Sequence, residues 1–133
     1  MSSEICAVGE TKKKSDFEKK KRYLKKYSWT LKKIKRLEMR KSELLGHDNL
    51  SDHDKIMLND LDYRLASLRL DAENQKLNIY DWIDKLDNYL EMEVLELFFI
   101  HDLDFKTIAG RLNYSERQVI RFYVNGVNQL EIE

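Results

Sequence analysis

An all-α fold is the architecture this sequence predicts, and three observations carry the prediction. The 133 residues include no proline and only four glycines, so nothing punctuates the chain as the turns of a sandwich or barrel would. Apolar residues recur at threes and fours over long stretches, the period of a helix with one buried face. Serine and aspartate open these stretches, and glycine or asparagine closes them, as helix caps require. With 42% hydrophobic residues the chain can bury a modest core, in one compact domain or a small domain with an extension.

Residues 1–16 are polar and aperiodic, and a disordered tail is expected there. Over 17–45 the residues Leu24, Tyr27, Leu31, Ile34, Leu37 and Leu44 form one apolar stripe on a lysine-rich helix that Gly46 and "HDN" stop. A second helix, 51–77, starts at "SDHD". Ser51 is its N-cap, and Asp52 and Asp54 suit its positive end. Ile56, Leu58, Leu61, Leu65, Leu68 and Ala72 are its expected buried face. The short connection makes the pair an antiparallel helical hairpin or coiled coil spanning 17–78. Its basic first helix faces a second one bearing Asp54, Asp60, Asp62, Asp71 and Glu73.

The remainder, 79–133, reads as a small helix-turn-helix domain. Helices are expected over 80–88 and 90–101, with Ile83, Leu86 and Leu90 facing one way and Val94, Leu95, Phe98 and Phe99 forming the densest apolar cluster. Two more helices follow, over 105–112 and 115–130.

The joint between these last two is the most informative stretch, "KTIAGRLNYSERQVIRFYV". A helix-turn-helix needs a small residue where its helices cross, a residue tolerant of left-handed backbone in the turn, and apolar residues that lock the second helix down. Ala109 is the small residue, with Ile108 and Leu112 facing inward. Asn113, four residues on, occupies the place where glycine is commonest. Ser115 with Gln118 makes a capping box, while Val119, Phe122 and Tyr123 point to the core. Packing accounts for all of these, yet it leaves Arg117, Gln118 and Arg121 exposed near the helix start. Arg and Gln suit bidentate contact with guanine and adenine edges, so these three are the candidate base-reading residues. Lys106 and Ser115 are candidate phosphate contacts.

Charge qualifies that reading. The net charge is zero, from 24 basic and 24 acidic residues, but residues 11–41 alone carry fifteen Lys or Arg against three acids. Residues 104–133 are neutral, with four charges of each sign. Phosphate neutralisation supplies much of any affinity for double-stranded DNA, so a neutral reading head needs help. The basic segment, through Lys19, Lys20, Lys21, Arg22, Lys25 and Lys26, is the expected auxiliary contact. Its aromatics Tyr23, Tyr27 and Trp29 either stack on bases or belong to the hairpin core.

"LEMEVLELFFIHDLDFKTIAGRLNYSERQVIRFYVNGVNQL" resembles the C-terminal helix-turn-helix of phage-encoded transcriptional regulators of the ArpU and RinA type, itself similar to the fourth conserved region of sigma factors. The matching features are an apolar helix, a short acidic link, an Ile-Ala pair and "YSERQV" opening the second helix; Asn113 departs from the family's glycine. The resemblance implies a sequence-specific DNA-binding regulator of phage late genes, for packaging and morphogenesis or lysis, acting in the host bacterial cytoplasm. It also implies an N-terminal helical region that mediates homodimerisation or contact with RNA polymerase. The competing expectation is a protein-interaction module that grips polymerase, a repressor or a packaging protein without reading DNA.

Other chemistry is weakly represented. "HDNLSDHD" gathers His47, His53 and three aspartates, but a loop followed by an N-cap explains them and no metal is expected. No glycine-rich phosphate loop, nucleophile elbow or paired His and Cys occurs, so neither an enzyme nor a cofactor is expected. The single Cys6 fits a reducing cytoplasm, and no apolar run reaches the roughly 20 residues needed to cross a bilayer.

Overall fold

Helix-forming periodicity dominates the molecule. The computed structural model describes residues 2–132, with side chains from residue 16 onward, and among the described residues it is all-helical. The helices are α1 (Ser2–Leu45), α2 (Asp52–Asp84), α3 (Tyr89–Phe99), α4 (Phe105–Leu112) and α5 (Glu116–Gln129). The tail expected over residues 1–16 falls almost wholly outside the residues whose side chains are described. No helix among the described residues is long and apolar enough to cross a membrane.

α1 and α2 lie side by side in opposite directions. Three cross-links fix the sense: Lys41 Nζ to Asp62 Oδ1 at 2.7 Å, Arg69 Nη2 to Glu38 Oε1 at 3.1 Å, and Thr30 Oγ1 donating to Gln75 Oε1 at 2.8 Å. Leu24, Tyr27, Ile34 and Leu37 of α1 are buried against Leu61, Leu65, Ala72 and Ile79 of α2. Two expected core residues lie elsewhere. Leu31 is 40% exposed, because Thr30, three residues after Tyr27 and four before Ile34, takes the inward position. Its single hydroxyl proton has two acceptors in reach, the Lys26 carbonyl at 2.9 Å and Gln75 Oε1 at 2.8 Å, which removes the cost of burying it. Ile56 is 67% exposed, since a residue five before Leu61 stands on the far side of the helix.

The second helix does not stop near residue 77. Leu65, Ala72 and Ile79 fall at sevens and Ile83 follows at four, so the buried stripe runs on while polar Asn78 stays on the exposed side. α2 ends at Asp84, and Leu86 N–H donates to Ile83 O at 3.0 Å in the turn that follows. Asn88, expected to end a helix, instead begins one: its Oδ1 accepts from Leu90 N–H at 2.9 Å and Glu91 N–H at 3.2 Å.

α3 is the centre of the C-terminal half. Val94 and Leu95 are fully buried, and α4 and α5 close over it with Ile108, Val119 and Val127. An aromatic cluster joins this half to α1. Tyr123 of α5 has its ring 5.0 Å from Phe98, 5.0 Å from Phe105, 5.8 Å from Phe99 and 6.0 Å from Phe17 of α1.

Candidate functional site

The α4 to α5 joint is built from three local devices. Asp104 caps α4, its Oδ1 accepting from Thr107 N–H at 2.8 Å, and hydrogen bonding from the Thr107 side chain, with that from its backbone, holds the carboxyl below the ordinary carboxylate range. Asn113 ends α4 at φ 60° and ψ 42°, in the left-handed region, with Ala109 O accepting from its N–H and from that of Tyr114. Ser115 then caps α5: its Oγ accepts from Gln118 N–H at 3.2 Å, and Gln118 Oε1 accepts from Ser115 N–H at 3.4 Å. Buried Ile108 and Ala109 on one side and Val119 and Tyr123 on the other lock the two helices at this crossing. Tyr114 of the turn and Phe122 of α5 pack edge to face, rings 5.5 Å apart.

The candidate base-reading residues Arg117, Gln118 and Arg121 are all exposed, as are Lys106 and Ser115. They do not stand alike. Among the described residues, no carboxylate lies within 4 Å of Arg117 or Arg121, so both guanidinium groups are free to engage a ligand. Gln118 and Ser115 are occupied by each other in the cap, and a base or phosphate would have to share them.

Two further residues share the exposed face of α5. Ile120, 41% exposed, and Val124, 37% exposed, each follow an arginine by three residues and so lie on its face. Sequence reasoning missed them because β-branched residues next to a core register pass for core. The signal available was spacing: Ile120 stands one residue off the buried series Val119, Tyr123 and Val127. Apolar side chains on such a face suit contact with thymine methyl groups or with a protein surface.

The basic segment comes to this half through α1. Lys20 Nζ donates to Asn128 O at 2.9 Å across 108 residues of sequence, neutralising an orphan carbonyl at the C-terminal end of α5. Lys20 is therefore engaged with α5, whereas Lys19, Arg22 and Lys26 remain exposed and Lys21 and Lys25 are half-buried. The aromatics divide: Tyr27 is core, while Tyr23 and Trp29 are exposed, with Lys26 Nζ 4.4 Å above the Tyr23 ring and Lys32 Nζ 5.3 Å above Trp29. Trp29, Lys25 and Lys32 face Phe98, Phe99 and Asp102 across a shallow cleft between α1 and the end of α3.

The histidine and aspartate cluster after α1 makes a helix cap. Ser51 and Asp54 exchange hydrogen bonds at 3.1 and 3.2 Å, and His47 Nδ1 lies 3.5 Å from Asp54 Oδ2. The hydrogen bond from the Ser51 backbone leads the causes that lower the Asp54 pKa. Comparison with known protein families, curated proteins and solved structures finds no match to the chain.

Proposed function

We propose that the chain is a sequence-specific DNA-binding transcriptional regulator in which α5 reads bases in the major groove. The observation that carries this reading is the placement of Arg117 and Arg121 one turn apart on an exposed helix face, without carboxylate partners, directly after a left-handed turn and a serine cap. Arg117 and Arg121 are the base readers, Lys106 touches phosphate, and Gln118 contributes through its amide while its carbonyl keeps the cap. The α1 segment supplies the charge that the neutral stretch 104–133 lacks, through Lys19, Arg22 and Lys26. The resemblance to ArpU- and RinA-type regulators supports a role in phage late-gene control within a bacterial host, with RNA polymerase as a further proposed partner.

Selection of bound duplexes from a random-sequence library, followed by gel shift, tests this. Arg117→Ala or Arg121→Ala should each relax one position of the selected site at a cost of about 1 to 3 kcal/mol. Replacing Lys19, Arg22 and Lys26 with Gln should weaken binding to all sequences alike and flatten its salt dependence. Arginine variants that bind the selected site as tightly as the wild type would sink the assignment of α5.

A protein-binding module is the second reading, favoured by Ile120 and Val124 on the same face and by the neutrality of residues 104–133. It predicts no appreciable duplex binding even at low salt.

A further inference from the structure

α2 carries two apolar stripes, and α1 covers only one of them. Leu61, Leu65, Ala72 and Ile79 face α1, while Ile56, Tyr63, Leu70 and Leu77 lie on the opposite side, 67%, 77%, 65% and 57% exposed. These four are spaced by seven throughout, the repeat that keeps a seam on one line when two helices supercoil. The stripe runs about 30 Å at 1.5 Å per residue, four apolar layers across three heptads. α3 rests against α1 and the far end of α2, and α5 rests against α1, which leaves this face open over its length.

We propose that the outer face of α2 seats a second copy of this chain, the two α2 helices lying parallel and in register. Charge decides both the occupant and the direction. In a parallel pair a residue flanking the seam meets the residue five positions on in the other copy. Lys55 then meets Asp60 and Lys76 meets Asp81, each twice by symmetry, while Asp62 meets Ser67 and Arg69 meets Asn74, so no flanking pair repels. Lys55, Lys76 and Asp81 have no ion-pair partner within 4 Å among the described residues, and Asp60 has only Arg64, at 3.5 Å. The antiparallel pairing that sets Ile56 beside Leu77 would instead oppose Asp60 to Glu73 and Asp52 to Asp81. One layer resists the parallel pair: Glu73, three residues after Leu70 and four before Leu77, meets its own counterpart.

The pairing deepens the dimer reading of the N-terminal helices, and it stands apart from DNA recognition. A two-fold axis along α2 would carry both copies of α5 at the same end of the assembly.

Sedimentation equilibrium on the full chain, without nucleic acid, tests it over a concentration series. The wild type should dimerise, Leu70→Asp should be monomeric with unchanged helicity, and Glu73→Leu should lower the dissociation constant by roughly tenfold, since it removes a buried repulsion and adds an apolar layer. In a Cys6→Ser background, Asn59→Cys should cross-link between copies on oxidation, because parallel pairing brings position 59 against itself. A wild-type chain that stays monomeric, a dimer that survives Leu70→Asp, a Glu73→Leu chain that associates no more tightly, or an Asn59→Cys dimer that fails to cross-link would each overturn the proposal.

Discussion

Gly126 of α5 crosses Leu95 of α3 so closely that a Cβ on Gly126 would lie 3.0 Å from Leu95 Cδ1 and 3.2 Å from its Cγ. Leu95 is fully buried, so any shift it makes must push on packed neighbours. Gly126→Ala gains about 1 kcal/mol of helix propensity, but overpacking a rigid neighbour costs about 1 to 3 kcal/mol. A net loss of roughly 1 kcal/mol is expected in urea denaturation. In a Leu95→Ala background the same substitution should stabilise, and a loss of equal size in both backgrounds would show that the contact does not matter.

Glu91, one turn before Leu95, belongs to the same crossing, its Cβ 3.4 Å from where a Cβ on Gly126 would lie. It is 4% exposed, and its Oε2 has no hydrogen-bond partner. Burial holds its carboxyl above the ordinary carboxylate range, so the fold favours the protonated acid. The stability it contributes is therefore full below about pH 4.5 and is lost as pH rises through the raised pKa. Glu91→Gln should be more stable than wild type at neutral pH by about 1 kcal/mol, and the advantage should vanish near pH 4. Thermal melts at the two pH values read the difference directly.

Tyr123 sets an alkaline limit. Its hydroxyl is buried without a partner, and desolvation, with a smaller push from Glu18, drives its pKa up to about 12 from 10.0. The fold thus prefers neutral tyrosine, and stability falls as pH climbs from about 10 towards 12, by roughly 2 kcal/mol in full. Burial also raises Tyr80, so the test is the contrast between wild type and Tyr123→Phe. The variant should match or exceed wild type at neutral pH and lose less stability at high pH. Equal alkaline losses would assign the effect to other tyrosines.

Asn113 and Asp102 are the described non-glycine residues with positive φ, at 60° and 55°. For most side chains this region costs about 1 to 2 kcal/mol. Asn113→Ala and Asp102→Ala should each destabilise by about 1 kcal/mol, whereas the glycine variants should equal or exceed wild type. Asn113→Ala should also loosen the start of α5, which hydrogen exchange at the amides of Gln118 and Val119 would report.

The all-α class and both serine caps were legible because they depend on local chemistry: a missing proline, a helical period, and a hydroxyl three residues before an acceptor. The inward choice between Thr30 and Leu31 was not, because either fits the period and only Gln75, 45 residues away, decides it. The continuity of α2 was hidden by the polar run before Leu77, although Ile79 and Ile83 preserved the stripe. At the candidate site Arg117 and Arg121 could be picked out as residues that packing leaves unused. Ile120 and Val124 were marked only by their spacing, one residue off the buried series, and how far they are exposed depends on the rotation of α5 over α3. The role of Lys20 was equally out of reach, as its acceptor is a backbone carbonyl near the other end of the chain.

The unbroken run of α2 makes the geometry between the two halves a matter of arithmetic. A helix turns about 100° and advances 1.5 Å with each residue. One residue inserted between Gln75 and Asn78 would swing α3 to α5 a quarter-turn or more about the shaft, tearing Phe17 from Tyr123, while seven would return nearly the original bearing about 10 Å farther out. Either change would part Phe17 from Tyr123, so the length of this segment sets both the angle and the distance between the two halves, and the chain carries that setting as a residue count.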